Sequence, residues 1–232
     1  IKRNINIIKM YLSIIFFLLL AFSFLELFTF WRDNRQSVKI CFLLFIIFFF
    51  CLSTIRWERG TDWSTYYSFF MMPGNFGKDS FEFGFSLLNH AVKSISNNYT
   101  LLLILQGGIY YTFMSKSILK ISLYPMFSLF ILFIIGSYAG IFFVRQTIAI
   151  SIVVYSYIYI YKRRFLTFAL LITIAFSIHA SSLVFFPAYF IYKLNLSTKN
   201  IIIYITMAVL VGYLLSDIMQ HYSLLGRVLS NK

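Results

Sequence analysis

Charged residues, and acidic ones above all, are scarce in this sequence. Only 12% of the 232 residues are charged, and 7 acidic residues stand against 20 basic ones. Hydrophobic residues make up 60% of the chain and aromatic residues 21%. Soluble domains have about 45–50% apolar and about 25% charged residues, and could not bury this much apolar surface. The composition therefore excludes an ordinary soluble domain and favours a protein whose solvent is lipid.

Cysteine is rarer still, with only Cys41 and Cys51, both inside one apolar run. Ten residues of helix rise about 15 Å, which is too far for a disulfide between them. Their spacing also matches no zinc-ligand pattern. We therefore expect neither a disulfide framework nor a cysteine metal site, and both side chains should face lipid or the protein core.

The common phosphate-loop, zinc and hydrolase motifs are missing as well. The sequence contains no GxxxxGK[ST], CxxC, HExxH or GxSxG, so it predicts no nucleotide, metal or other cofactor and no serine-type hydrolase. The basic residues are scattered between apolar runs, which argues against nucleic acid as a partner. A net charge of +13 instead suits anionic lipid headgroups or a phosphorylated substrate.

What is abundant is apolar sequence in long runs. A membrane-spanning helix needs roughly 20 mostly apolar residues. We predict an all-α, polytopic integral membrane helical bundle that forms a single transmembrane domain over residues 1–232, with one long external loop at 56–98 that contains amphipathic helices. The predicted spans are residues 11–30, 38–55, 99–114, 121–138, 141–161, 165–178, 181–193 and 201–215.

The orientation follows from the basic residues of the short loops, which the positive-inside rule weights most. Raw totals of basic residues are equal on the two sides. The bases of the long loop are matched by its acidic residues, whereas the short loops that include Lys120 and Lys162 carry an unbalanced positive charge. We therefore predict that the N-terminus and the loop 56–98 lie outside.

A short hairpin follows the fifth span. Residues 165–178 rise about 21 Å as a helix, against a hydrocarbon core of about 30 Å, so His179 should lie recessed below the outer surface. This predicts a broken or re-entrant hairpin near His179. Arg145 reaches a similar depth, because its rise above Lys162 is about 25 Å. Polar groups at such depth must be buried in protein or line a wet cavity.

The long loop holds the first candidate functional residues. Arg56 and Arg59 could bind phosphate with their guanidinium groups, or could pair locally with nearby acidic residues. Asp62 could be a helix N-cap or a catalytic carboxylate. Trp63 and Tyr66 could stack on sugars, although amphipathic rings also populate membrane interfaces.

Four further candidates follow along the chain. Glu82 opens an amphipathic helix over residues 79–96 and could cap it together with Asp79 or act as a functional carboxylate. Arg145, followed by Gln146, could bind substrate or reach to lipid headgroups. His179 could act as a general base or be a hydrogen-bonded histidine at a helix break.

Four motifs in order resemble the EpsG family of bacterial exopolysaccharide proteins, which is similar in role to Wzy-type polymerases. They are RWERGTDWSTYYSFF at residues 56–70, FEFGFSLLN at 81–89, VRQTIAISI at 144–152, and KRRF followed by SIHASSL at 177–183. The resemblance covers about residues 11–215. Members of the family are usually longer, so we expect this sequence to be part of a longer chain.

The resemblance implies a multi-pass protein of the bacterial cytoplasmic (inner) membrane. Its implied activity is that of a metal-independent glycosyltransferase that joins oligosaccharide repeats carried on undecaprenyl diphosphate at the outer face. Expected partners are these lipid-linked glycans, the lipid bilayer and other polysaccharide assembly proteins. A transporter or flippase of lipid-linked oligosaccharide, a glycan ligase and a non-enzymatic assembly subunit are the alternative interpretations.

The chemistry of that reaction suggests roles for the candidates. Arginines would stabilise the departing diphosphate in a poorly solvated site, and a base would take the proton of the acceptor hydroxyl. We assign Arg145 and Arg59 to the diphosphate, with Arg56 as a third, and expect His179, or else Asp62, to be the base. The remaining predicted substrate-binding residues are Gln146, Trp63, Tyr66 and Glu82.

Overall fold

The computed structural model describes residues 2–56, 62–72, 81–142, 144–192, 197–207 and 209–210. Within these ranges the chain is helical, and none of the described residues forms a strand. Two compact units are present, residues 1–189 and residues 190–232. In the second unit the described residues include a helix over 198–207. The all-helical architecture agrees with the prediction.

Nine α-helices can be numbered among the described residues from 2 to 191. They are α1 (Lys2–Phe28), α2 (Arg35–Thr54), α3 (Trp63–Met71), α4 (Phe83–Ile95), α5 (Tyr99–Ile121), α6 (Pro125–Phe142), α7 (Val144–Tyr161), α8 (Phe165–Ile178) and α9 (Ala188–Ile191). Short 3₁₀ helices cover Phe30–Asp33 and Ala180–Phe185.

Local sequence explains several of these boundaries. The side chains of Asn34 and Asn98 cap α2 and α5 by accepting hydrogen bonds from the backbone N–H groups of Ser37 and Thr100, which satisfies orphan donors of the first turn. Pro125 stands at the first position of α6, where its missing N–H costs nothing. Helix boundaries in this chain are thus set by polar residues between apolar runs.

The predicted span 181–193 is not one continuous helix. His179 has an extended backbone, a 3₁₀ helix follows over Ala180–Phe185, and α9 begins only at Ala188. Pro187 contributes to the interruption, since proline lacks the N–H that a continuous helix would need at this position. Predicted span 165–178, by contrast, coincides with α8.

The core of residues 1–189 is built as two apolar clusters. One joins residues of α3, α4, α5, α7 and α8, and includes Tyr66, Phe85 and Phe168. The other joins residues of α1, α2, α5 and α6, and includes Leu19, Phe42 and Met126. Because α5 contributes to both clusters, it holds the two halves of the helical assembly together.

Much of the remaining apolar surface is exposed. Phe17, Leu44 and Leu166 are respectively 64%, 62% and 82% exposed. Among the described residues one helix, Arg35–Thr54 with a mean hydropathy of 2.3, is long and apolar enough to cross a membrane. Shorter apolar helices cover Ser13–Phe28, Pro125–Ile135, Phe165–Ile178 and Ala180–Ile191.

Candidate functional site

Three elements that are distant in sequence meet at one end of the helical assembly. Helices α7 and α8 pack along each other and are joined by a short turn, which brings Arg145 at the start of α7 beside His179 at the end of α8. Helix α4 packs on α8. A Cβ atom added to Gly84 would lie 2.8 Å from the Ser177 carbonyl oxygen. Glycine therefore permits the close approach that places Glu82 at the same point.

Glu82 connects the other two elements through both of its carboxylate oxygens. Oε2 forms an ion pair with Nη1 of Arg145. Oε1 accepts a hydrogen bond of 3.1 Å from the backbone N–H of Ala180 and lies 3.4 Å from Nδ1 of His179. Among the described residues no group hydrogen-bonds to that Nδ1 atom. We call Glu82, Arg145 and His179 the polar cluster.

Aromatic rings surround the guanidinium of the polar cluster. The Cζ atom of Arg145 lies 4.4 Å from the ring centroid of Phe81, 5.9 Å from that of Tyr66 and 6.0 Å from that of Phe85. Cations are attracted to the faces of aromatic rings, and more strongly where water is excluded. The side chains of Arg145 and Glu82 are still 22% and 23% exposed, so the polar cluster is accessible from one side.

The surroundings of Glu82 favour its charged form. Partial burial acts to raise its pKa, but hydrogen bonds from the backbone N–H groups of Glu82 and Ala180, together with the charge of Arg145, outweigh burial and hold the pKa below the ordinary value. Glu82 is therefore a carboxylate at neutral pH. Its negative charge offsets the positive charge of Arg145.

A second guanidinium is more deeply buried than that of Arg145. Arg56 is buried, and its Nη2 donates a 3.0 Å hydrogen bond to Oε1 of Gln106. Gln106 in turn donates from Nε2 to the hydroxyl of Thr147 over 3.1 Å. Among the described residues, Nη1 of Arg56 has no hydrogen-bond partner and no acidic side chain pairs with this arginine.

Burial affects the charge of Arg56 directly. Loss of solvation lowers the pKa of this guanidinium, and the neighbouring Tyr99, Tyr111 and Tyr66 oppose that shift. Arginine nevertheless stays protonated at any working pH. Tyr66 interacts with Arg145 as well, so this tyrosine lies between the deep guanidinium and the polar cluster.

The other predicted site residues are less closely placed. Asp62 precedes α3 at the N-cap position, as predicted, but its exposed side chain makes no capping hydrogen bond. Gln146 is exposed. Trp63 stacks on Tyr67 with ring centroids 5.2 Å apart. Arg59 lies outside the described residues.

The capping interpretation of Glu82 needs correction. Glu82 occupies the N-cap position of α4, yet its side chain makes no capping hydrogen bond, because both carboxylate oxygens point to Arg145 and to the residues after α8. The amphipathic pattern predicted over residues 79–96 holds only in part for α4, since polar Ser86 and Asn89 are buried while Ile95 is 79% exposed.

Sequence reasoning missed the residues that support the two arginines. Gln106 accepts a hydrogen bond from Arg56 and donates one to Thr147, and Phe81 and Phe85 lie beside Arg145. Gln106 could have been found, because a glutamine inside an apolar span is costly unless it has polar partners. No sequence signal identified Phe81 and Phe85, since phenylalanine is common throughout this chain.

A metal site was not predicted, and the described side chains offer no group of three or more His, Cys, Asp or Glu residues that could hold a metal ion. The groups that the described site brings together are cationic guanidinium groups, a carboxylate and an imidazole. Guanidinium groups bind phosphate oxygens, and an imidazole can accept a proton near neutral pH.

Comparison with known proteins agrees with the resemblance of the motifs. The family model described as EpsG family matches residues 39–231, a range that includes every residue of the polar cluster and Arg56. Neither the curated proteins nor the solved structures gave a significant match. The match covers most of the chain, and the protein therefore belongs to the EpsG family.

Proposed function

We propose that this protein is a polysaccharide polymerase of the cytoplasmic membrane that joins oligosaccharide repeats carried on undecaprenyl diphosphate. Membership of the EpsG family associates the chain with polysaccharide biosynthesis and with the membrane. The observation that carries the proposal is the meeting of Arg145, Glu82 and His179, which come from three separate parts of the sequence.

The membrane placement is supported by the exposed apolar surface. Large hydrophobic side chains are exposed on α1, α2, α6 and α8, and soluble proteins rarely expose apolar patches of that extent. Lipid would cover these side chains in a multi-pass arrangement. The polar cluster would then lie at the outer end, and the turn with Lys162 at the inner end, which satisfies the positive-inside rule.

In the proposed reaction, a hydroxyl oxygen of the acceptor glycan attacks the anomeric carbon of the donor glycan. The bond from that carbon to the diphosphate oxygen breaks, and undecaprenyl diphosphate leaves with the electron pair. His179 takes the acceptor proton and later returns it to the diphosphate or to water. Asp62 is the second choice for this base.

Two guanidinium groups would stabilise the diphosphate. Arg56 fits this role best. Among the described residues no carboxylate pairs with its buried charge, and its Nη1 atom has no hydrogen-bond partner. A diphosphate would supply the missing acceptors, and charge stabilisation in a dry site is worth more than in water. Arg145 would be the second cation, on the open side, and Arg59 remains a predicted third.

Substitution in the producing bacterium tests the proposal. We expect Arg145→Ala and His179→Ala to abolish long-chain glycan while the protein still inserts into the membrane. Arg35→Ala and His90→Ala are matched controls, since both residues are exposed and lie outside the site, and they should leave glycan length unchanged. Glycan length is read from gels and insertion from membrane fractionation. Normal chain lengths in both site variants would contradict the proposal.

A further inference from the structure

Glu82 has contacts that neither helix capping nor substrate binding explains. A capping carboxylate would bond the first turn of α4, and this one does not. A substrate-binding carboxylate would keep an oxygen available, yet Oε2 is paired with Arg145 and Oε1 accepts from the Ala180 N–H. The carboxylate is thus directed at protein groups on both sides.

The position of Oε1 relative to His179 is the informative one. It lies 3.4 Å from Nδ1, slightly beyond hydrogen-bond length, and the Ala180 N–H holds this oxygen beside the imidazole. A histidine that donates from Nδ1 to a carboxylate has its other nitrogen, Nε2, free of a proton and available as the base. Such bonds are often long in the absence of substrate and shorten when it binds.

We propose that Glu82 is a positioning residue that selects the Nδ1–H form of His179 and holds Arg145 at a fixed distance from that base. One carboxylate then aligns the proton acceptor and a cation for the diphosphate. This inference rests on the proposed function, in which His179 is the base. The tautomer that Glu82 imposes, however, is a property of the protein alone.

The burial of the cluster makes this arrangement effective. The side chains of His179 and Glu82 are only 26% and 23% exposed, which limits the competition from water. The Gly84 contact with Ser177 fixes the start of α4 against the end of α8. Glu82 therefore has little freedom to leave the imidazole, as a positioning role requires.

The test separates the tautomer from the activity. Nitrogen NMR is recorded on the full chain, labelled at histidine, with His90→Gln and His221→Gln so that His179 gives the only signal, at a pH above the usual histidine titration range. We expect Nδ1 to carry the proton in the protein with Glu82. In Glu82→Ala the fraction with the proton on Nδ1 should fall, and Glu82→Asp should restore it partly.

Elongation kinetics of the same variants provide the second measurement. Removing the carboxylate partner of a functional histidine commonly costs about 10-fold to 10,000-fold in rate, so Glu82→Ala should lower kcat by at least about 10-fold. Asp33→Asn, which removes a carboxylate at a distant exposed position, should leave both the spectrum and kcat unchanged.

Each outcome has a defined meaning. An unchanged tautomer in Glu82→Ala overturns the positioning role even if the protein proves to be a polymerase. A changed tautomer with no polymerase activity in the parent protein leaves the positioning of His179 intact and rejects the proposed function instead. If the Glu82→Ala protein fails to insert into the membrane, Glu82→Gln replaces it as the test variant. Glutamine keeps an acceptor for the Ala180 N–H but removes the negative charge, and this variant must still lower kcat.

Discussion

At the scale of single residues, the two described arginines of the site differ in what neutralises them. Arg145 is paired with Glu82 and lies near three aromatic rings. Arg56 is buried with a glutamine and tyrosines around it. A buried charge without a counter-charge is costly, and proteins keep one where function requires it.

Replacing Arg56 should therefore separate stability from activity. Arg56→Met removes a buried charge that no acidic side chain among the described residues neutralises, so the thermal stability of the purified protein should be unchanged or higher. We expect kcat/KM for the lipid-diphosphate donor to fall at least about 10-fold, because a charge-assisted contact with the diphosphate is lost. Arg35→Met serves as the control, and a large loss of thermal stability in Arg56→Met would show that the residue is structural instead.

The ion pair of Glu82 and Arg145 predicts a pH dependence. The pKa of Glu82 in the folded protein lies below its ordinary value of 4.5, so the pair stabilises the fold fully above that value, and its contribution is lost as the pH falls through the folded-state pKa. The stability difference between the parent and Glu82→Gln should be on the order of 1 kcal/mol at neutral pH. Thermal melts across pH should show the difference shrinking in acid; a difference that grows in acid contradicts the assignment.

Sequence analysis identified the residues of the candidate site but not the contacts that they make with one another. Arg145 and His179 were identified because charged or polar groups inside apolar sequence are costly, and Glu82 because it opens an amphipathic helix. The side chain of Glu82 turns from α4 towards α7 and α8. This direction depends on how three helices distant in sequence pack together, and the local sequence does not contain that information. Local spacing instead predicted a cap, and the competing ion pair with Arg145 prevailed.

At the scale of elements, the crossing of α4 and α8 positions the site. Gly84 lets the two helices touch at Ser177. Helix α8 was predictable in full, since its apolar run is bounded by the basic turn before Phe165 and by the polar residues from His179 onwards. The orientation of α4 could not be predicted in the same way. This helix has neighbours on more than one side and buries polar Ser86 and Asn89 as well as Phe85.

A methyl group at Gly84 should disturb this crossing. Gly84→Ala places Cβ within 3 Å of the Ser177 backbone, which must move apart at a cost of about 1–3 kcal/mol. We expect a lower melting temperature and reduced elongation, because Glu82 shifts away from His179 and Ala180. Gly108→Ala is the matched control, since a Cβ there meets nothing within 4 Å and alanine favours helix. Equal effects of the two substitutions would show that the α4–α8 contact does not position the site.

At the scale of the whole molecule, the two ends of the described helices differ in charge. The polar cluster lies where α7 begins and α8 ends, whereas Lys120 and Lys162 lie close together near the ends of α5 and α7. This difference in charge would be explained if the two ends of the helices faced the aqueous compartments on opposite sides of a membrane. The number of helices that cross the bilayer, however, remains part of the proposal.

Cysteine labelling tests that arrangement. In a background with Cys41 and Cys51 replaced by serine, His90→Cys and Lys162→Cys introduce single thiols at exposed positions of the two predicted sides. A membrane-impermeant maleimide should label His90→Cys on intact cells and Lys162→Cys only after permeabilisation. Labelling of both from the same side would contradict the predicted topology.

The central claim is that His179, positioned beside Glu82 and Arg145, serves as the base of a glycan polymerisation. Its most direct measurement is elongation of a synthetic lipid-diphosphate-linked repeat by the purified protein in lipid vesicles, followed by product length. We predict glycans of many repeats from the parent protein and from His90→Ala, and no elongation from His179→Ala. Elongation by His179→Ala at the parental rate, or transfer of the lipid-linked repeat across the vesicle membrane without any new glycosidic bond, would contradict the account.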